Sequence, residues 1–252
     1  MPVTTDVERL KAVADELGEA IREARAGAKV KLPVIAHADA AGLVMIMHRE
    51  LEAATVERSA EARAQGHVIA CDVGCNACCA SPVLVSEGEA VAVVEWLADR
   101  PEVTQQFATA YRAWKKSVGS LGRALETART DDARRAAAIA LRKQNVMCAF
   151  NRDGACTIYE ARPARCRMAH ALDTNAACGP DGDGQVRYFE HLRTEETFAE
   201  QEPMRGALHH ALRPNGGLEL LCSSVFRMLF ARAPRNADCP CGSGKKFKHC
   251  CA

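Results

Sequence analysis

The sequence predicts a mainly α-helical fold: a helical core with cysteine-rich metal-binding loops and a small C-terminal metal knuckle. Three observations lead there. Apolar residues recur at three- and four-residue steps over most of the chain, strand signals are sparse, and twelve of the thirteen cysteines are gathered into short Gly- and Pro-punctuated segments. The length of 252 residues corresponds to roughly 1.7 domains of typical size, one substantial core plus something smaller.

The elements follow in order. From Thr5 to Gly27, Val7, Leu10, Val13, Leu17, Ala20 and Ile21 trace one face of an amphipathic helix, and Gly27 marks its end. A second helical pattern runs from about residue 38 to 65 and stops at Gly66. The texture then breaks at HVIACDVGCNACCASPVLVS, which is too dense in cysteine for a helix interior and is expected to hold its thiols on loops or helix ends. Ser86 followed by Glu89 is a capping-box pattern and opens a helix through about Asp99. Pro101 begins another that is expected to reach Val118, and a further helix covers about 132–145. A second cysteine segment spans 148–178, with a turn at NRDG (151–154), and GPDGDG (179–184) follows it as another turn. VLV at 83–85 and VRYF at 186–189 are the strand candidates. An apolar helix from Leu218 to about Ala231 closes the core, and a proline-bearing linker leads to a tail rich in cysteine and lysine. The expected divisions are 1–66, N-terminal helices packing on the core; 67–232, the cysteine-cluster core; and 233–252, a metal-binding tail set apart from that core.

Composition excludes several classes of function. With 33 basic and 32 acidic side chains the formal charge is +1, so no global field draws the chain to nucleic acid or anionic lipid. No apolar run approaches the roughly 18 residues of a membrane span. The charged N-terminus lacks the pattern of a secretory signal, and a cytoplasmic location is expected. In a reducing compartment clustered cysteines serve more often as metal ligands or redox groups than as disulfides. GxxxxGK[ST], GxSxG and a strand-borne GxGxxG are absent from the sequence.

Cys71, Cys75, Cys78 and Cys79 form C-x3-C-x2-C-C, and Cys148, Cys156, Cys166 and Cys178 follow as a second group. A shared metal site explains this density better than unrelated buried thiols. Adjacent Cys78 and Cys79 project in different directions, so one of them serves a different ion or a supporting role. Eight thiols suffice for two four-thiolate sites, one site with spare cysteines, or an iron–sulfur cluster. Arg162, Arg165 and Arg167 flank Cys166 and are expected to balance thiolate charge, and His170 is a candidate ligand or proton shuttle against the commoner structural role. Cys222 reads as a buried small hydrophobe, Tyr111 and Trp114 as a packed helix face rather than a base-stacking platform. Asp181 and Asp183 lack the continuation of a calcium loop.

In the tail, Cys239, Cys241, Cys250 and Cys251 give C-x-C-x8-C-C, two thiol pairs that a turn through Gly242 and Gly244 brings together around one tetrahedral Zn²⁺. His249 is the alternative to Cys251 as fourth ligand, and Lys245, Lys246 and Lys248 are expected to offset the thiolate charge.

Two resemblances cover these segments. RNADCPCGSGKKFKHCCA resembles the SEC-C motif, the metal-binding tail of the bacterial preprotein-translocation ATPase and of many unrelated proteins. This implies the same four tail ligands, zinc or alternatively iron, and a basic surface that engages protein partners or ribosomes. CDVGCNACC, the following SPVLVSEGEA and CAFNRDGACTIYEARPARCR resemble the YkgJ family of zinc- or iron-chelating proteins, although the first gap here is three residues where the family has two. That resemblance implies Cys71, Cys75, Cys78, Cys79, Cys156 and Cys166 as ligands, with Cys148 and Cys178 as further candidates. The functional expectation is a metal-binding protein holding zinc, or iron or an iron–sulfur cluster, whose tail docks a protein or ribosome. The alternatives are a metal-dependent protein-modifying enzyme, since a flagellin lysine methylase carries a similar cluster, and an adaptor in translation or secretion.

Overall fold

A computed structural model describes residues 7–71, 75–168, 170–181, 193–231, 233–239 and 243–250. The described chain is mainly helical. Its elements are α1 (Val7–Arg25), α2 (His37–Ala64), β1 (Leu84–Val85), α3 (Glu87–Leu97), α4 (Pro101–Thr127), α5 (Asp131–Lys143), β2 (Asn151–Arg152), β3 (Ala155–Cys156), α6 (Ala164–Met168), α7 (Arg193–Leu212), β4 (Glu219–Leu220) and α8 (Leu221–Phe230). Short 3₁₀ turns stand at Ala77–Ala80, Tyr159–Ala161, Ala176–Cys178 and Phe247–His249.

Helix α3 is the axis of the molecule. Ala90, Val93 and Leu97 face one buried cluster, built with Phe107 and Trp114 of α4, Leu141 of α5 and Val225 of α8. Val91 and Ala92 face a second, built with Leu10 and Leu17 of α1, Val44 of α2 and Leu208 of α7. A helix apolar on both sides is a buried helix, and this one starts where the sequence places it: Ser86 caps it with the reciprocal Glu89 capping box. Gly42 lets α1 approach α2, since a Cβ there would stand 2.8 Å from Leu10 Cδ1. The aromatic face of α4 is core, with Tyr111 stacked on Phe226 at 3.9 Å between ring centres.

Sheet structure is minimal and ties loops together. β1 pairs antiparallel with β4 in the register Leu84↔Leu220. β2 and β3 form a hairpin whose turn residues Asp153 and Gly154 both have positive φ (51° and 85°), the conformation that two-residue hairpins favour.

Several elements differ from the sequence expectation. Helix α4 runs to Thr127 instead of stopping at Val118, because Gly119 absorbs a kink (φ 44°, ψ −127°) that lets a second helical stretch continue. The expected helix from Leu218 begins at Leu221, its first residues being taken by β4. Helix α7 was not anticipated. Its pattern is masked by an internal Pro203 and by two buried polar residues that find partners elsewhere: Gln201 Nε2 donates to the Met47 carbonyl at 3.0 Å, and the Glu87 amide donates to His209 Nδ1 at 3.0 Å. The strand expected at 186–189 and Asp183 lie outside the described residues.

The tail is not set apart from the core. Phe247 and Cys239 pack against Ala108 of α4 and Phe230 of α8 in a third buried cluster, with Phe226 and Leu229 at its edge. Parting the two would expose Phe230 together with Phe247.

Candidate metal centre

Backbone pairing brings the distant cysteine segments together. Ile69 bridges Leu172, Ala70 N donates to the Ala171 carbonyl at 2.9 Å, and Asp173 N donates to the Val68 carbonyl at 2.7 Å. This ladder lays Cys71 beside the 170–178 segment, where Ala171 N donates to Cys71 Sγ at 2.9 Å and Asn175 Nδ2 to Cys75 Sγ at 3.5 Å. The 3₁₀ turn Ala77–Ala80 carries Cys78 and Cys79, and Cys148 N donates to the Cys79 carbonyl at 2.8 Å. The hairpin carries Cys156, α6 carries Cys166, and the turn Ala176–Cys178 carries Cys178.

Nine cysteines line one cavity of about 620 Å³: Cys71, Cys75, Cys78, Cys79, Cys148, Cys156, Cys166, Cys178 and Cys222. The first eight are the core residues singled out in the sequence. Cys222 was not, because it stands alone in an apolar helix. It is buried as expected of a small hydrophobe, yet its Sγ lies 3.5 Å from Cys148 Sγ. His170 and Arg162 also reach the cavity, whose remaining wall is largely apolar, with Trp114, Val118, Phe150 and Leu221. Among the described residues, no group of three or more His, Cys, Asp and Glu side chains already stands in the arrangement of a metal-ligand set.

The thiols are chemically unequal. Burial pushes the Cys156 thiol up to about 11 and drives Cys166 higher still, with neighbouring thiolates adding to the effect. Burial also raises Cys71 and Cys178. Cys79 goes the other way: the Cys78 thiol donates to it, which favours its thiolate and raises Cys78 itself. Buried thiols held neutral in this way ionise when a cation supplies the missing charge, so the donor chemistry fits a soft or borderline metal. The N–H groups at Cys71 and Cys75 are donors of the kind that support metal-bound sulfur. His170 Nδ1 is buried and without a hydrogen-bond partner among the described residues, and burial lowers its affinity for a proton.

The arginines around Cys166 are engaged chiefly away from its thiol. Arg167 Nη1 meets Glu52 of α2 at 2.7 Å and its Nε donates to the Arg162 carbonyl at 2.9 Å. Arg162 reaches the same Glu52 at 3.3 Å and lies over the Tyr159 ring, while Arg165 covers Phe198. Arg162 and Arg167 thus pair with a carboxylate 110 or more residues away in sequence and clamp the Cys166 turn to α2, while Arg162 also favours the thiolate of Cys156. Glu89 is the counterpart on the other side. Its carboxylate accepts from Ser86 N at 3.0 Å, Ala164 N at 3.1 Å and Arg205 Nη2 at 3.3 Å, with His48 Nε2 at 3.9 Å. Burial alone would raise Glu89; His48, Arg205 and the Ser86 amide outweigh it and hold the group at about 2.

In the tail, Asp238 bridges Lys246, Cys239 N donates to the Lys245 carbonyl at 2.7 Å, and Phe247 N donates to the Ala237 carbonyl at 2.8 Å. These bonds fold residues 233–239 and 243–250 into one knuckle with Cys239 buried and Cys250 half-buried. Ser243 Oγ stands 2.9 Å from Cys250 Sγ. Lys246 Nζ pairs with Asp238 at 2.7 Å. His249 is exposed, and Cys241 and Cys251 lie outside the described residues. Residues 235–252 match the SEC-C motif. The SEC-C match takes in Cys239 and Phe247, through which the knuckle docks, and leaves the cysteine core outside it. No curated protein and no solved structure matches the chain. Among the described residues, no helix is long and apolar enough to cross a membrane.

Proposed function

We propose that this chain is a thiolate metal-binding protein of two parts. The core (67–232), similar in its cysteine pattern to the YkgJ family, takes zinc, with iron or an iron–sulfur cluster as the alternative occupant, through Cys71, Cys75, Cys78, Cys79, Cys148, Cys156, Cys166 and Cys178. The SEC-C tail (233–252) takes a further ion through Cys239, Cys241, Cys250 and Cys251, and presents Lys245 and Lys248, both exposed, to a protein or ribosome partner.

The observation that carries this reading is the gathering of nine cysteines, from segments as far apart in sequence as Cys71 and Cys222, around one cavity. Unpaired thiols scattered for packing alone would not share a cavity that also receives two directed N–H donors. A bound ion would supply the positive charge that lets these buried sulfurs ionise, and its binding free energy would add to folding. The chain's own part is to hold the sulfurs: Glu89 and Glu52 fix the Cys166 turn, and the 68–71 and 170–173 ladder fixes Cys71.

Elemental analysis and an absorption spectrum on anaerobically prepared full-length protein test the reading. Metal retained by the Cys239→Ser/Cys250→Ser variant and reduced by Cys75→Ser or Cys166→Ser is the expected result. Protein that is ion-free yet compact overturns it. Co-sedimentation with ribosomes, or capture of a partner, that survives deletion of residues 235–252 overturns the role given to the tail.

A further inference from the structure

We propose that the α4–α5 hairpin is a binding surface for double-stranded RNA, which it holds through the phosphates. The surface uses none of the cysteines and does not depend on either metal site.

Charge is close to balanced over the whole chain but is unevenly placed. Residues 112–143 hold nine basic and three acidic side chains, which leaves 24 basic and 29 acidic over the remainder. Two of those three carboxylates are already engaged: Glu126 accepts from Leu220 N at 3.0 Å, and Asp131 pairs with Arg134 at 2.8 Å. Arg112, Lys116, Arg123, Arg129, Arg135 and Lys143 are exposed and have no hydrogen-bond or ion-pair partner among the described residues. The arginines that tie the core together behave differently, Arg167 meeting Glu52, Arg205 meeting Glu89 and Arg227 meeting Glu87. Unpaired like charges gathered on one hairpin repel one another, and a polyanion relieves that repulsion.

Helical periodicity sets the charges of α4 on one side. Tyr111, Trp114 and Val118 face the core, so Arg112, Lys116 and Arg123 ride the opposite face. They span about 16 Å of helix. The exposed positions between and beside them, Ala113, Ser117, Ser120 and Ala124, are small, so a ligand can lie close against the helix.

These features narrow the partner. A row of fixed cations suits a repeating anion, and guanidinium forks grip phosphate with paired hydrogen bonds. Helix α4 exposes no large apolar side chain that would enter a bilayer. Its aromatic residues Tyr111 and Trp114 are buried, so it offers no platform on which unpaired bases stack. A duplex, whose bases are already stacked, needs no such platform. A-form RNA is recognised through phosphates and 2′-hydroxyls across a wide, shallow groove rather than through base edges. A face of arginine, lysine and serine, with no Asn or Gln between 112 and 127 to read adenine, matches that mode.

The test is fluorescence anisotropy of a labelled RNA duplex of about 20 base pairs titrated with full-length protein at about 50 and 200 mM salt. Binding that weakens with salt is expected. Arg112→Glu/Lys116→Glu is expected to weaken it by at least about tenfold and to flatten the slope of log K against log salt by about 2, with metal content unchanged. Arg25→Glu/Lys29→Glu, the same charge change at exposed positions by the end of α1, is expected to bind as wild type does. If the hairpin reversal fails to fold by circular dichroism, Arg112→Ala/Lys116→Ala decides in its place, with a smaller loss in the same direction. Absence of binding at the lower salt, or an equal loss in the α1 variant, overturns the inference. So does a DNA duplex, a single strand or an anionic vesicle bound as tightly as the RNA duplex. A loss confined to Lys245→Glu/Lys248→Glu places the contact on the tail and overturns the hairpin surface while leaving the role given to the tail standing.

Discussion

Glu89 Oε1 accepts the backbone N–H of Ala164 at 3.1 Å, joining the capping box of α3 to the first turn of α6, the turn that carries Cys166. One carboxylate therefore ends a helix, neutralises Arg205 and fixes a candidate ligand. Because Glu89 is held at about 2 against a usual 4.5, it binds fewer protons folded than unfolded. Its contribution is full above about pH 4.5 and is lost as the pH falls toward 2, and a shift of this size is worth about 3 kcal/mol. Glu89→Gln is expected to destabilise the protein by about that amount at pH 7, since Arg205 and His48 lose their buried partner. Urea unfolding from pH 7 down to pH 2 checks this: the gap between wild type and variant should close through the acid range, and parallel curves would show that Glu89 carries no such linkage.

The same residue shows where sequence reading stops. Ser86 and Glu89 announce the cap because its signals are three residues apart; the bond to Ala164 spans 75 residues and leaves no local trace. The cysteine clusters were legible for the same reason of spacing, and eight of those cysteines line one cavity. Cys222 was not legible, since a lone thiol in the run LCSSVFRMLF looks like any small apolar residue until Cys148 is placed beside it. Nearness in sequence pointed the arginines at Cys166, whereas in space Glu52 from α2 takes Arg162 and Arg167 and Phe198 takes Arg165. Helix α7 escaped because its buried Gln201 and His209 break the apolar stripe. Phe247, an aromatic side chain amid lysines, was the one sign that the tail docks.

The Cys148–Cys222 contact separates a donor from a ligand. Cys222→Ser retains a hydroxyl donor and is expected to leave the metal count unchanged. Cys222→Ala removes the donor and is expected to weaken metal binding at the cavity by about tenfold, at the lower end of what supporting contacts contribute. Competition with a chromophoric chelator measures both. Loss of a whole equivalent in Cys222→Ser would instead make Cys222 a ligand.

Docking of the tail depends on Phe247, buried over Phe230 with ring centres 6.2 Å apart. Phe247→Ala is expected to cost about 3 kcal/mol locally, the low end for a buried aromatic because this cluster is small. Hydrogen exchange of the amides over 245–250 should accelerate while those of α3 stay protected. Unchanged exchange in the tail would mean that its own fold, rather than the contact with α8, holds it in place.

Gly119 tests the kink in α4. At φ 44° and ψ −127° a side chain is strained whatever surrounds it, and a Cβ there would meet no atom within 4 Å. The cost of Gly119→Ala is therefore conformational rather than steric, about 2 kcal/mol. The kink stands directly after Val118, a wall residue of the cysteine cavity, and lets Leu125 return to the core. Urea unfolding of the metal-free protein gives the stability, and a cobalt titration gives the site. A lowered midpoint with an unchanged metal count is expected, because no cysteine that lines the cavity lies on α4. An unchanged midpoint would mean that the helix straightens at no cost and that the kink is dispensable to the core.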